Sequence, residues 1–79
     1  MPHLLISGGT RGIGKACIEL FLKHGYKVSS VSRTGKPENA LSGVDYYVCD
    51  VSDPAQVSAV VNKITNANGT IDVLISNAG

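Results

Sequence analysis

The apolar and polar positions of this chain fall into short blocks that predict four β-strands. The runs HLLIS at residues 3–7 and IDVLIS at residues 71–76 are nearly continuous apolar sequence, which is typical of strands buried on both faces of a sheet. The runs KVSSVS at residues 27–32 and VDYYVC at residues 44–49 are short and rich in β-branched or aromatic residues, which favours a strand in each.

Two longer blocks repeat their apolar residues at helical spacing. In the first, at residues 12–24, the stripe predicted to face the core consists of Ile13, Ala16, Cys17, Leu20 and Phe21. Ile18 and Leu22 fall on the opposite face, so we expect this helix to contact a second surface as well. Gly25 follows the block at the place where a left-handed residue commonly ends a helix.

The second helix is predicted over residues 54–67 by its two ends and by its stripe. Asp53 is a favourable capping residue, and Pro54 suits the first helical position. The pair Asn68-Gly69 predicts the end of the helix. The predicted buried stripe consists of Val57, Val60, Val61 and Ile64.

The predicted elements follow the order strand, helix, strand, short crossover, strand, helix, strand, which is typical of a parallel sheet with helices on its faces. The crossover at residues 34–43 has about ten residues and contains Pro37. This length is close to the minimum for a parallel connection, and it leaves room for a turn or two of helix. The predicted fold class is therefore α/β, as the N-terminal half of a doubly wound Rossmann-type parallel sheet.

Composition limits the function classes. The chain has 79 residues and a net charge of +1, which predicts one small domain. Because no block of like charges occurs, neither nucleic acid nor a membrane surface is an expected partner. Cys17 and Cys49 are isolated and lack metal-ligand spacing, so we expect no metal and a reducing, cytoplasmic location. The apolar run at residues 4–6 is too short for a secretory signal or a membrane span.

The stretch SGGTRGIGKA, residues 7–16, places four glycines where the first strand ends and the first helix begins. A phosphate bound at a helix N-terminus needs main-chain N–H groups aimed at it and no side chains in the way. Gly8 permits the tight turn after the strand, Gly12 lets a pyrophosphate approach the backbone, and Gly14 lets helix and strand pack closely. A glycine turn without a ligand is the alternative, and the flanking strand and helix favour phosphate binding.

A nucleoside triphosphate loop is a second interpretation of the same stretch. Residues 9–16 read G-x-x-x-x-G-K-A, which differs from that motif only at the last position. The motif needs a serine or threonine hydroxyl there to bind magnesium, and Ala16 has no side-chain oxygen. This interpretation also leaves Gly12 unexplained, so nucleotide hydrolysis is disfavoured.

Three stretches together resemble the short-chain dehydrogenase/reductase superfamily in its compact form. They are the spacing Gly8-x-x-x-Gly12-x-Gly14 with T-R-G-I-G at residues 10–14, the pair Asp50-Val51, and S-N-A-G at residues 76–79, where the family has N-N-A-G. The resemblance covers the whole chain and implies that Asp50-Val51 contacts the adenine ring of a dinucleotide. It also implies that Asn77 stabilises the sheet, a role that the serine before it leaves intact.

Charge at the end of the second strand distinguishes NAD from NADP. NAD-binding folds carry an acid there for the ribose 2′-OH, whereas this chain has Ser32-Arg33 and no acid before Glu38. A guanidinium binds a 2′-phosphate bidentately, and the resemblance makes Arg11 a second such cation. We therefore expect NADP(H) rather than NAD, with two solvated surface arginines as the alternative. The predicted cofactor site comprises Gly8, Thr10, Arg11, Gly12, Ile13, Gly14, Ser32, Arg33, Asp50, Val51, Asn77, Ala78 and Gly79.

The resemblance implies a catalytic tyrosine with a lysine four residues later, a pair that this sequence lacks. The residues at that distance after the tyrosines at 26, 46 and 47 are Ser30, Asp50 and Val51, so no catalytic residue is predicted. We expect residues 1–79 to be an NAD(P)-binding Rossmann half-domain that is truncated before the catalytic segment. Such a half-domain leaves an open apolar edge at residues 73–75.

The expected function is the NADP(H)-binding portion of an oxidoreductase. By resemblance, the complete protein transfers hydride between NADP(H) and a small-molecule ketone or alcohol. A noncatalytic NADP-binding module or a truncated pseudo-enzyme is the alternative, and cofactor binding without turnover of any carbonyl compound would favour it. Family members usually assemble through helices later in the fold, so these residues carry no argument about a homo-oligomer.

Overall fold

The computed structural model describes residues 1–8 and 12–77, and these form four strands and two helices. In chain order the elements are β1 (His3–Ser7), α1 (Gly12–Lys23), β2 (Lys27–Ser32), β3 (Val44–Val48), α2 (Pro54–Asn68) and β4 (Val73–Ser76). The strands build one parallel sheet in the order β3-β2-β1-β4. The predicted α/β class with a parallel sheet is confirmed.

The sheet separates two hydrophobic cores, because successive side chains of a strand point to opposite faces. The core on the face covered by α1 consists of Leu4, Ile6, Ile18 and Val28. The core on the face covered by α2 consists of Leu5, Val31, Cys49, Val60 and Ile64. Strand β1 supplies residues to both cores and is buried along its whole length, as its continuous apolar sequence predicts.

The face of α1 that contacts the sheet differs from the predicted stripe. Ile13 is 76% exposed and Leu20 is 54% exposed, whereas Ile18 is fully buried. The residues that face the sheet are Gly14, Cys17, Ile18, Phe21 and Leu22. Gly14 helps to explain the error, because a glycine in the first turn of the buried face lets the helix approach the strand end but adds nothing to a pattern of apolar side chains.

Helix α2 begins as predicted and ends one residue later. Asp53 is extended, and its Oδ1 accepts a 3.0 Å hydrogen bond from the N–H of Ala55. The last helical residue is Asn68, and Gly69 follows with a φ of +83°. The predicted stripe is confirmed, since the residues that pack on the sheet are Val57, Val60, Val61 and Ile64.

The connection between β2 and β3 consists of bends and turns. Residues 33–43 contain no helix, so the room predicted for one or two helical turns is not used. The N–H of Leu41 donates a 3.0 Å hydrogen bond to the hydroxyl oxygen of Tyr46, which fastens the connection to β3. Strand β3 ends at Val48, one residue before its predicted end.

Strand β4 lies at an edge of the sheet, and the prediction that both of its faces are covered is wrong. Within the described residues it pairs with β1 alone. Val73 and Ile75 pack on the α1 face, but Leu74 points to the other face and is 69% exposed. Among the described residues, α2 packs over β1 and β2 and not over β4.

Candidate functional site

The order of the strands places a crevice at the carboxyl ends of β1 and β4. From β1 the chain proceeds outward through β2 to β3, and it then returns across the sheet to place β4 on the other side of β1. In open α/β sheets, ligands bind outside the carboxyl ends of the strands at the point where the strand order reverses. That point lies here between Ser7 and Ser76, which are register partners.

Asn77 joins the two strand ends at this crevice. Its main-chain N–H donates to the Ser7 carbonyl oxygen and to the Ser7 hydroxyl oxygen, at 3.2 Å each. Its side-chain Nδ2 donates to the Gly8 carbonyl oxygen at 3.4 Å. Gly8 turns the chain away from β1 with a φ of +73°, a conformation that favours glycine. These contacts support the sheet-stabilising role that the resemblance implies for Asn77.

Gly14 lies where the first turn of α1 meets this joint. A Cβ atom at Gly14 would overlap the Gly8 carbonyl oxygen and would stand 2.7 Å from Asn77 Nδ2. No larger residue fits without moving the main chain, since one of the two obstacles is a backbone atom. Gly14 therefore has the close-packing environment that the glycine spacing predicts.

Gly12, at the start of the same helix, is not crowded by described residues in the way that Gly14 is. It has a φ of +64°, and apart from its chain neighbours and its own helix no described residue has an atom within 4 Å of the position of its missing Cβ. The neighbouring Ile13 is largely exposed. The first N–H groups of a helix have no partners within the helix, so they are donors that an anion can use.

The carboxyl ends of β2 and β3 bring two further predicted residue pairs to the same edge of the sheet. Ser32 ends β2 and is half-buried, and Arg33 follows it on the surface. Asp50 and Val51 follow β3, and Val51 is 46% exposed. The charge of Arg33 is close enough to Asp50 to lower the pKa of that carboxyl. The structure thus places both pairs beside one another.

Hydrogen bonds within the turn at residues 50–52 stabilise the ionised form of the Asp50 side chain. Its Oδ1 accepts hydrogen bonds from the Ser52 hydroxyl at 2.6 Å and from the Ser52 N–H at 3.0 Å. These bonds hold the pKa of Asp50 below its usual range, and the positive charge of Arg33 acts in the same direction. The carboxylate is therefore an acceptor at neutral pH.

Cys49 stands next to this carboxylate but belongs to the core. It is 1% exposed. Burial raises the pKa of its thiol, and the negative charges of Asp50 and Asp53 raise it further. Because the thiolate is the reactive form, this cysteine is inert at neutral pH. It lines an apolar cavity of about 220 Å³ between α2 and the sheet, which opens toward Val51 and Leu74.

Reasoning from sequence missed three residues of this edge. The hydroxyl oxygen of Ser7 accepts a hydrogen bond from the Asn77 N–H, and the Ser52 hydroxyl donates one to the Asp50 carboxylate. The Gly35 N–H donates a hydrogen bond to the Ser32 hydroxyl oxygen. A signal exists for Ser52, because an aspartate with a serine two residues later commonly forms a turn through its side chain. Predicted site residues Thr10, Arg11, Ala78 and Gly79 lie outside the described residues.

Two structural features are absent from residues 1–8 and 12–77. No group of three or more His, Cys, Asp or Glu side chains is arranged to hold a metal ion there. In the same ranges, neither helix combines the length and the apolar character needed to cross a bilayer.

Comparison with known proteins identifies the class of protein that this fold and this crevice define. The family model for short chain dehydrogenases matches residues 2–79. The chain belongs to that family, as the three sequence stretches predict.

Individual relatives agree with this placement. The chain is 41% identical over 83 residues to a 3-oxoacyl-[acyl-carrier-protein] reductase, FabG, of Thermotoga maritima, with 95% of this chain and 34% of that protein covered. It superimposes on ligand-free aldohexose dehydrogenase of Thermoplasma acidophilum with a TM-score of 0.87 at 35% identity, covering 99% of this chain and 29% of that one. The structure of ElxO with NADP bound gives a TM-score of 0.85 at 35% identity, with coverages of 99% and 35%. The chain spans about a third of the length of the curated relatives it matches.

Proposed function

We propose that these residues bind NADP(H) for an oxidoreductase that interconverts a small ketone and its alcohol. The observation that carries this proposal is the glycine-lined crevice at the reversal of strand order. There no described residue beyond α1 covers the Cβ position of Gly12, and Gly14 brings the helix against Gly8. This geometry suits a pyrophosphate, which needs main-chain donors and close approach.

Different residues around the crevice would bind different parts of the dinucleotide. Gly8, Gly12 and Ile13 would face the pyrophosphate, as the loop between β1 and α1 does in such folds. Asp50 and Val51 would hold the adenine ring, with the ionised Asp50 as acceptor and the exposed Val51 as apolar surface. Asn77, with Ala78 and Gly79 after it in the sequence, would lie beside the path from the pyrophosphate toward the nicotinamide.

The preference for NADP over NAD rests on charge. Arg33 is exposed at the end of β2, where an NAD-binding fold would have an acid. The neighbouring Asp50 has Ser52 as its hydrogen-bond donor, which leaves the Arg33 guanidinium available for a phosphate. The similar ElxO structure contains NADP, and Arg11 adds a second cation in the sequence.

The chemistry of hydride transfer would come from the bound nicotinamide, and these residues would bind and orient it. None of the three tyrosines is followed four residues later by a lysine, so we assign no proton donor within this sequence. The substrate would be a small carbonyl compound or alcohol bound by other residues of the protein. Two free cysteines, one of them buried, support a reducing intracellular location.

Calorimetric titration with NADP+ and NAD+ tests this proposal. We expect Arg33→Ala to weaken NADP+ binding by about 1–3 kcal/mol, the range for hydrogen bonds to charged groups, and to leave NAD+ binding nearly unchanged. Lys23→Ala is the matched control, because it removes an exposed positive charge at the far end of α1. Equal losses of both cofactors in Arg33→Ala would contradict the assignment of the 2′-phosphate.

A further inference from the structure

We propose that Ser32 and Gly35 form a closed turn that positions Arg33 for the 2′-phosphate, so that Ser32 sets cofactor selectivity through the main chain. We call residues 32–35 the Ser32 turn. This inference rests on the proposed NADP(H) site, and it names the device that makes the site selective. Ser32 is on this view a positioning residue.

A pair of hydrogen bonds to one residue closes the turn. The Gly35 N–H donates to Ser32 Oγ at 3.0 Å, and the Ser32 hydroxyl donates to the Gly35 carbonyl oxygen at 3.3 Å. The second distance is long for an O–H donor, for which about 2.7–2.8 Å is common. The contact that holds the turn is therefore the first, in which Ser32 acts as acceptor.

The start of the turn is fixed by the sheet. The N–H of Cys49 donates to the Ser32 carbonyl oxygen at 2.8 Å, which continues the pairing of β2 with β3 beyond the last strand residue. The main chain of Ser32 is thus bound to the neighbouring strand, while its side chain reaches forward to Gly35. One residue connects the rigid sheet to the turn.

The end of the turn is fixed by packing. Gly35 is buried and has a φ of +69°, a conformation that favours glycine. A Cβ atom at this position would stand 2.8 Å from Cγ2 of Val48, the last residue of β3. Both ends of the Ser32 turn therefore lie against β3 or the residue that follows it.

Arg33 and Thr34 lie between Ser32 and Gly35 in this turn, and both are exposed. Arg33 follows the carboxyl end of β2, and Asp50 lies after the carboxyl end of the neighbouring strand β3, so both are at the end of the sheet where the crevice lies. An arginine on a fixed turn loses less freedom when it binds a phosphate than an arginine on a mobile loop. The Ser32 turn should therefore strengthen NADP+ binding and have little effect on NAD+, which has no 2′-phosphate.

The experiment measures dissociation constants of NADP+ and NAD+ for variants of the full protein. We expect Ser32→Ala to weaken NADP+ binding by about 3- to 10-fold, as expected for the loss of one hydrogen bond, and to change NAD+ binding by less than about twofold. Ser32→Thr keeps the hydroxyl and should restore NADP+ binding. Ser30→Ala is the matched control, since Ser30 is buried on the same face of β2 and its hydroxyl has no hydrogen-bond partner in the described part of the chain.

A second readout follows the turn itself. Amide hydrogen exchange at Gly35, measured by NMR, should be faster in Ser32→Ala than in the parent protein. It should remain slow in Ser32→Thr and in Ser30→Ala. Exchange at the amides of β1 should not change in any of the three variants, which shows that the sheet is intact.

The Arg33→Ala variant separates the inference from the proposed function. If Arg33→Ala loses NADP+ selectively while Ser32→Ala behaves like Ser30→Ala, the positioning role is overturned and the NADP(H) site stands. If Ser32→Ala weakens both cofactors equally, Ser32 is merely structural and the inference is overturned. If Arg33→Ala weakens both cofactors equally, the 2′-phosphate assignment is wrong, and the inference is overturned with it.

Discussion

Gly12 and Gly14 stand two residues apart in the first turn of α1, yet they serve different purposes. Gly14 is needed by the fold, because a side chain there would meet Gly8 and Asn77. Among the described residues, nothing outside its own helix and chain neighbours lies near the Cβ position of Gly12, so this part of the fold depends on its left-handed backbone and not on its missing side chain. On the proposed function, Gly12 is kept small for the pyrophosphate at the start of α1.

Substitution of Gly12 tests this difference. We expect Gly12→Ala to weaken NADP+ and NAD+ alike by about tenfold or more, roughly 1.4 kcal/mol, because both cofactors have the pyrophosphate. Gly25→Ala is the matched control, since Gly25 has a φ of +83°, similar free space and a place at the far end of α1. Each variant should lose about 1–2 kcal/mol of unfolding free energy from the left-handed backbone. Equal cofactor binding by the two variants would refute the role of Gly12.

The positions of several proposed site residues could be predicted from the sequence. The glycine spacing pointed to Gly12 and Gly14, and the family resemblance pointed to Asp50 and Asn77, which the structure places after β3 and β4. The supporting contacts were not predictable. Gly35 donates to Ser32 through a turn whose shape depends on Val48, and a contact of that kind requires the strands to be paired already.

At the level of the elements, α2 was predicted better than α1. In α2 the apolar residues are valines and isoleucine on a single stripe, with Asp53 before them as a cap. In α1 apolar residues occur on several faces, and Ile18 and Ile13 are equally hydrophobic although one is buried and the other exposed. Gly14 marks the buried face, because Gly14 and Ile18 are about one helical turn apart and both are buried.

The cap of α2 gives a prediction at this level. Asp53→Ala removes the side-chain acceptor for the N–H of Ala55, so we expect the free energy of unfolding to fall by about 1 kcal/mol. Asp53→Asn should retain most of the stability, since asparagine is a comparable capping residue. Urea unfolding at neutral pH measures both. A loss in Asp53→Asn as large as that in Asp53→Ala would show that charge, not capping, accounts for the effect.

In the whole molecule, the order β3-β2-β1-β4 gathers residues that are distant in sequence at one edge of the sheet. Residues near positions 8, 33, 50 and 77 all follow the carboxyl end of a strand, and parallel strands end at the same edge. The alternation of strands and helices predicted a parallel sheet, but the burial of β4 depends on which element lies beside it. Leu74 is therefore exposed despite an apolar sequence that predicts burial.

An NMR titration of the ¹⁵N-labelled protein with NADP+ tests most directly whether the carboxyl edge binds a dinucleotide. We expect saturable shifts at the amides of Gly8, Gly12, Gly14, Arg33, Asp50 and Asn77. The amides of Lys27 and Asp72, at the amino ends of the strands, should not shift. Shifts centred on that opposite edge, or none at saturating NADP+, would contradict the proposed site.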